Sequence, residues 1–151
     1  MIHLPDQIIV VDLDGTLADC SHREHLAQAG QWEEFHDKLM EDLLHRDTFE
    51  FIMAMQELFY IWIVTARPER YRGRTTAWLQ AHQIFPEQII MRPNDNFQKS
   101  EELKIHLLEC ELGSKEQVLD NVLLCLDDRE KCVEALRNYG LKCWQVRNGA
   151  Y

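Results

Sequence analysis

Two aspartates one residue apart, followed by glycine and threonine, close an apolar run near the start of the chain: Asp12, Leu13, Asp14, Gly15 and Thr16. Further along, Thr65 and Arg67 close a second apolar run, Lys104 falls inside a helical pattern, and Asp127 and Asp128 close another run. Carboxylates gathered in one place repel one another, so such a set calls for a cation or a shared proton. With no cysteine or histidine pair beside them, all-oxygen ligands point to a hard cation, Mg²⁺, which bridges carboxylates to phosphate oxygens. The Asp-x-Asp order adds a mechanism. One carboxylate can attack phosphorus in line, as carboxylate nucleophiles do, and the other can protonate the leaving alkoxide and then activate water. Gly15 lets the chain turn sharply and bring backbone N–H groups near a phosphate. Thr65 can donate to a phosphate oxygen, and Lys104 can offset charge as the phosphoryl group flattens.

These residues need a scaffold that brings distant segments to one edge. Short apolar runs at 8–15, 60–67, 88–92, 121–128 and 142–146 read as buried strands. Helical patterns at 21–45, 48–58, 70–82, 100–112 and 129–139 lie between them. This alternation predicts a three-layer α/β/α Rossmann-like fold with a central, mainly parallel five-stranded sheet. In such a sheet the carboxyl ends of the strands share one edge, where ligands bind. The stretch of about 45 residues between the first two strands is longer than one crossover helix needs, so a small helical insertion, a cap at about 19–58, is expected there. One domain covers 1–151.

Composition narrows the function classes. A net charge of −10 argues against a long nucleic-acid groove but not against gripping one strand end. Five cysteines, an odd count without a C-x-x-C pair, favour reduced and mostly buried thiols over a disulfide framework or zinc site. No apolar run reaches the roughly 20 residues that span a bilayer, and the first residues lack the basic start of a signal peptide. The expectation is a cytoplasmic protein with no membrane partner. Arg67, Arg70, Arg72 and Arg74 crowd one short segment. Cations at a helix start oppose its macrodipole, so the cluster reads as binding substrate or backbone phosphate. Tyr71 and Trp78 are interleaved with it and offer either base stacking or, for Trp78, core packing. His22, His25 and His36 read as exposed or locally bonded.

The DLDGT sequence at 12–16, the IVTAR strand end, Lys104 and the LDD at 126–128 resemble, in order and separation, the four motifs of haloacid dehalogenase-like phosphatases. Within that superfamily the chain is similar to the 3′-phosphatase domain of phage-type polynucleotide kinases. DLDGTLADCSHR, TARPERYRGRTTAWL, MRPNDNFQKSEELK and LDDREKCVEALRNYGLKCWQVRNGAY carry the likeness, and residues 24–59 match least. The resemblance implies that Asp12 is the nucleophile and Asp14 the general acid–base. It implies a Mg²⁺ site of Asp12, Asp127 and the Asp14 main-chain carbonyl, with Asp128 binding directly or through water. Thr65 and Lys104 would hold the transferring phosphate, while Arg23, Arg67, Gly15 and Thr16 would bind substrate. The implied substrate is a 3′-phosphorylated DNA or RNA end or nucleotide. No phosphate-binding loop of the G-x-x-x-x-G-K-[ST] kind is present, so any 5′-kinase, like a ligase, would be a separate partner. Thr65 stands where that family often has serine, and Ser100 where an acid is expected.

Three other readings share parts of the pattern. A nucleotidase acting on free nucleoside monophosphates needs the same chemistry in a more enclosed pocket. A receiver-like signalling module also gathers acids, a threonine and a lysine at strand ends, but its acid pair closes the first strand and its phosphoacceptor a middle one, the reverse of the order here. A non-catalytic binding subunit would have no need of the complete acid set.

Overall fold

A computed structural model describes residues 7–149. Its five-stranded sheet has the order β5-β4-β1-β6-β7, with every neighbouring pair parallel. The strands are β1 (Ile8–Val11), β4 (Tyr60–Pro68), β5 (Gln88–Arg92), β6 (Val122–Asp127) and β7 (Cys143–Gln145). β1 is apolar at every position because both of its faces are covered. Ile9 and Val11 pack on one side with Ile61, Ile63, Trp78 and Leu79. Ile8 and Val10 pack on the other with Val64, Leu107, Cys125 and Val133. Helices α3 (Arg46–Met55) and α4 (Arg72–Ala81) cover the first face through residues such as Ile52 and Leu79. Helices α5 (Ser100–Leu112), α6 (Lys115–Asn121) and α7 (Glu130–Tyr139) cover the second. The result is the three-layer α/β fold read from the sequence.

Chain order turns at β1. The path runs outward on one side through β4 and β5, then crosses back to β6 and β7 on the other. A parallel sheet opens a crevice at the carboxyl ends of its strands at such a turning point.

The insertion after β1 is less helical than its sequence pattern suggests. Short helices α1 (Glu24–Gln28) and α2 (Trp32–Asp37) are framed by two turns of 3₁₀ helix, and an antiparallel pair of two-residue strands, β2 (Ala18–Asp19) and β3 (Leu43–Leu44), closes its base. The expected helix over 21–45 therefore breaks up. Gly30 takes a left-handed conformation between α1 and α2, and a few hydrogen bonds in each short turn leave cohesion to the buried cluster of Cys20, Leu26, Ala27 and Phe35. α3 belongs to the sheet-covering layer, since Ile52 is buried among the residues of β1 and β4.

Candidate active site

Asp12 follows β1 directly, and its backbone N–H still donates to Leu126 of β6. The chain then turns within three residues. Gly15 takes φ +82°, a region L side chains avoid. The N–H groups of Gly15, Thr16 and Leu17 donate to Ala18 and Leu13 carbonyls inside the turn. The turn thus spends the Gly15 and Thr16 donors on itself. What it delivers is position: Asp12 and Asp14 leave it in different directions, into two separate charge clusters.

The first cluster is buried. Lys104 reaches from α5 to Asp12 Oδ1 at 3.0 Å and to Asp127 Oδ2 at 2.5 Å. Asp127 Oδ1 accepts from the Arg129 backbone N–H at 3.0 Å. The Thr16 hydroxyl lies 3.2 Å from both Asp12 Oδ2 and Asp128 Oδ1, bracing the two acids. Carboxylate oxygens of Asp12, Asp127 and Asp128 all lie within 4.8 Å of one another. Burial pushes the Asp12 carboxyl well up, and its acidic neighbours add to the rise while Lys104 opposes it. Burial and the Asp127 charge push Asp128 up to about 6. For Lys104 the carboxylates of Asp12 and Asp127 outweigh burial and hold the ammonium firmly protonated. Three mutually repelling, all-oxygen donors in a dry pocket fit a hard divalent cation, and this cluster could hold a metal ion.

The second cluster grips Asp14. Arg67, at the end of β4, donates through Nη2 at 2.6 Å and through Nε to both oxygens at 3.1 Å. Arg23, from the insertion, donates through Nη2 at 2.6 Å. Both guanidinium groups are completely buried. A second acid, Asp42, shares them: it accepts from Arg23 Nε at 2.7 Å and Nη2 at 2.5 Å, and from Arg67 Nη2 at 3.4 Å. Remaining donors go to Phe35 O and Thr75 Oγ1, and the Arg23 guanidinium lies 4.0 Å over the Phe35 ring. Burial raises the Asp14 carboxyl, but the two arginines outweigh it and hold Asp14 well below the usual carboxylate range.

Between the clusters opens a cleft of about 510 Å³ reached by Asp12, Asp14, Thr65 and Lys104. The Thr65 hydroxyl accepts from the Arg67 N–H at 3.2 Å, which leaves its proton to donate. Trp32, Phe35 and His36 of α2 form part of one wall, so the insertion does face the cleft. His36 is buried among the Tyr71, Phe35 and Trp32 rings with no partner for Nδ1. Burial brings its imidazole down to about 4, against the pull of Asp14. It is therefore neither exposed nor locally bonded, unlike His22, which meets Asp42 at 2.8 Å.

The expected sites are sorted by these contacts. Asp12, Thr16, Lys104, Asp127 and Asp128 come together; Asp14, Arg23 and Arg67 form the adjoining cluster. Lys99, five residues before Lys104, is exposed at the cleft rim. Ser100 lies beside Arg92, whose Nη2 is 3.5 Å from its hydroxyl. The arginine cluster does not act as one patch: Arg72 pairs with Glu69 and Arg74 with Asp37, while Arg70 lines the cleft. Stacking on Tyr71 or Trp78 is ruled out by their burial, at 3% and 1% exposed, and Trp78 donates its indole N–H to the Asp42 carbonyl. Asp42 carries no motif and was missed; the signal was that two arginines aimed at one aspartate need a second acceptor. Gly149 was also missed. It lies against Asp128, where a Cβ would collide with Oδ2.

A family model for the phosphatase domain of the polynucleotide kinase PNKP matches residues 6–151. The chain belongs to that family. Two chains from structures of the Pnkp1/Rnl/Hen1 complex, one described as an RNA repair complex, are similar at 26% and 27% identity, each with a TM-score of 0.79. They cover 100% and 98% of this chain, which spans only 45% and 47% of theirs, less than half their length. A magnesium-bound hydrolase of the haloacid dehalogenase type, YfnB from Bacillus subtilis, shares the fold at 14% identity and a TM-score of 0.65, over 91% of this chain and 85% of that one. No curated protein matches at a significant level. Among the described residues no helix is long and apolar enough to cross a membrane.

Proposed function

We propose that the chain is a Mg²⁺-dependent phosphomonoesterase that removes 3′-phosphates from polynucleotide ends. A carboxylate oxygen of Asp12 attacks phosphorus in line, and the bond from phosphorus to the 3′ oxygen breaks. Asp14 gives its proton to that departing oxygen. Water then attacks the aspartyl-phosphate with Asp14 taking its proton, and inorganic phosphate leaves with Asp12 restored. The arginine clamp keeps Asp14 ionised, the state the second half requires. In the first half a proton must reside on Asp14, and the charge of a phosphate dianion beside it works in that direction. Arg23 and Arg67 serve here by holding and tuning Asp14, Gly15 by shaping the turn, and Thr16 by bracing Asp12 and Asp128. Lys104 keeps the Asp12 oxygens in place, while Thr65 donates to a phosphate oxygen. Asp12, Asp127, Asp128 and the Asp14 carbonyl would hold Mg²⁺, which would supply positive charge to the phosphate.

The observation that carries this reading is the pairing of a buried nucleophile cluster with a clamped second carboxylate at the head of one cleft, in a chain of the PNKP phosphatase-domain family. A kinase or a ligase would work on the same ends, before or after this step. The test is phosphate release with Mg²⁺ from a 3′-phosphorylated oligonucleotide, a 3′-mononucleotide and a 5′-mononucleotide, with Asp12→Asn as the blank. Preference for the 3′-phosphorylated substrates is expected. Preference for the 5′-mononucleotide would instead establish a nucleotidase, and turnover by Asp12→Asn would remove Asp12 as nucleophile.

A further inference from the structure

Phe97 is 92% exposed, the most solvent-bared large apolar side chain among the described residues, and it lines the same cleft as Asp12 and Asp14. Its exposure is built, not a consequence of a loose loop. Arg92, at the end of β5, donates to the Asn96 carbonyl at 3.2 Å and the Gln98 carbonyl at 2.7 Å, on either side of Phe97. The Asn96 side chain closes the loop again, accepting from Gln98 N–H at 2.9 Å and donating to Gln98 Oε1 at 2.9 Å. Phe97 is thus the residue between two clasped neighbours, held out toward water. A ring left in solvent in this way offers its face to a ligand with an apolar surface.

The chemistry around it narrows the ligand. Arg70, Lys99, Arg129 and Lys131 also line this cleft, in a chain whose net charge is −10. Trp32, 47% exposed on α2, lines it as well. Aromatic side chains and cations lining one cleft with Asp12 and Asp14 suit a single nucleic-acid strand, whose bases stack and whose diesters need positive charge.

We propose that Phe97 is a stacking platform for a nucleobase of the strand whose 3′ end enters the site. This rests on the 3′-phosphatase reading of the same cleft. The ring fixes the strand's direction of approach, and the rim cations carry its diesters. It adds binding energy that a small aryl phosphate, confined to the Asp12 end, does not collect.

Two readouts test it. In the first, kcat/KM is measured for a 3′-phosphorylated tetranucleotide and for an aryl phosphate. Phe97→Ala is expected to lower the ratio of the two by about five- to 150-fold, the range one stacked base is worth. Phe97→Trp should restore the ratio. In the second, Asp12→Asn protein is titrated with a single strand that carries 2-aminopurine near a 3′-hydroxyl end, so no hydrolysis is involved. Stacking quenches the fluorophore, and adding Phe97→Ala should abolish the quench. A ratio and a quench both unmoved by Phe97→Ala overturn the proposal while leaving the 3′-phosphatase reading intact. A loop with a merely structural role would lower both substrates together and leave the ratio unchanged, which also overturns it. Phe97-dependent quenching without hydrolysis of the 3′-phosphate would keep the platform and remove the reaction. The quench decides where the two readouts disagree.

Discussion

Asp42 holds the charge balance of the Asp14 clamp, and Asp42→Asn tests that arrangement directly. Its carboxylate is completely buried and accepts from Arg23 at 2.5 and 2.7 Å, from Arg67 at 3.4 Å and from His22 at 2.8 Å. Two buried guanidinium groups face two carboxylates there, so the cluster is neutral as it stands. Asparagine keeps the shape but leaves one positive charge in excess and turns a donor toward two donors. Breaking a buried, hydrogen-bonded pair by removing one partner costs about 3–5 kcal/mol. In a chain of this size that lowers Tm by about 6–20 °C, a large part of a typical total stability. Urea and thermal melts read the loss. The double variant Arg23→Met with Asp42→Leu leaves Arg67 with Asp14, a balanced pair, and should recover part of it. Catalysis should change in a specific way. With Asp42 gone both arginines bear on Asp14 alone, its proton affinity falls further, and donation to the leaving group weakens. Turnover of an alkyl phosphate, whose leaving oxygen needs a proton, should fall more than that of a nitrophenyl phosphate, which does not. A loss of stability under about 1 kcal/mol, or equal loss on both leaving groups, would refute the reasoning.

Two further outcomes follow from the same geometry. Arg67→Ala should lower turnover of a 3′-phosphorylated oligonucleotide and of a 3′-mononucleotide, which share a leaving group, by similar factors, since the buried guanidinium acts on Asp14; a loss confined to the oligonucleotide, measured as kcat/KM on both, would make Arg67 a strand contact. His36 gives a pH dependence of stability. Its folded value, about 4, lies below the ordinary 6.5, so as pH falls the unfolded chain takes the proton first. The contribution is complete above pH 6.5 and is lost on acidification toward pH 4, amounting to about 3 kcal/mol. In urea melts at several pH values His36→Phe should be flatter than wild type across that window by this amount, while the carboxylates titrate in both. Equal slopes would mean that His36 is not buried as a neutral ring.

Much of this was legible because β1, β4 and β6 state their burial in their composition. A strand such as Ile8–Val11, apolar at every position, has only one place in an α/β sheet, and the acids at the strand ends then have to share an edge. The insertion was illegible for the converse reason. Residues 21–45 alternate apolar and polar residues at helical spacing, yet the elements are one or two turns long and are held by the Arg23 contacts and the small cluster around Phe35. Tertiary contacts of that kind leave no period in the sequence. Trp78 shows how position overrides type: a tryptophan amid four arginines is available for stacking by composition, but α4 turns it into the core against Leu79 and the Asp42 carbonyl. Phe97 is the opposite case, an aromatic in a polar loop whose exposure depends on the clasp made by Arg92, five residues away.

Charge across the two clusters sets the order in which ligands bind. Asp12, Asp14, Asp42, Asp127 and Asp128 contribute five carboxylates against the cations of Arg23, Arg67 and Lys104. The surplus is two negative charges, concentrated where Asp12 and Asp128 are pushed toward protonation. One divalent cation cancels it. A phosphate dianion, by contrast, would meet two like charges at the head of the cleft, with the rim cations too far toward solvent to offset them fully. Mg²⁺ alone should therefore raise Tm, by an amount that grows with its concentration as binding to the folded state requires. Inorganic phosphate with a chelator should leave Tm unchanged, and phosphate with Mg²⁺ should raise it beyond Mg²⁺ alone. Asp128→Asn removes one of the surplus charges and should weaken the Mg²⁺ shift while making phosphate less dependent on the metal. Phosphate binding that is equally tight in chelator and in Mg²⁺, by calorimetry, would show that the surplus is already neutralised by protons on the acids, and that the metal is not what admits the substrate.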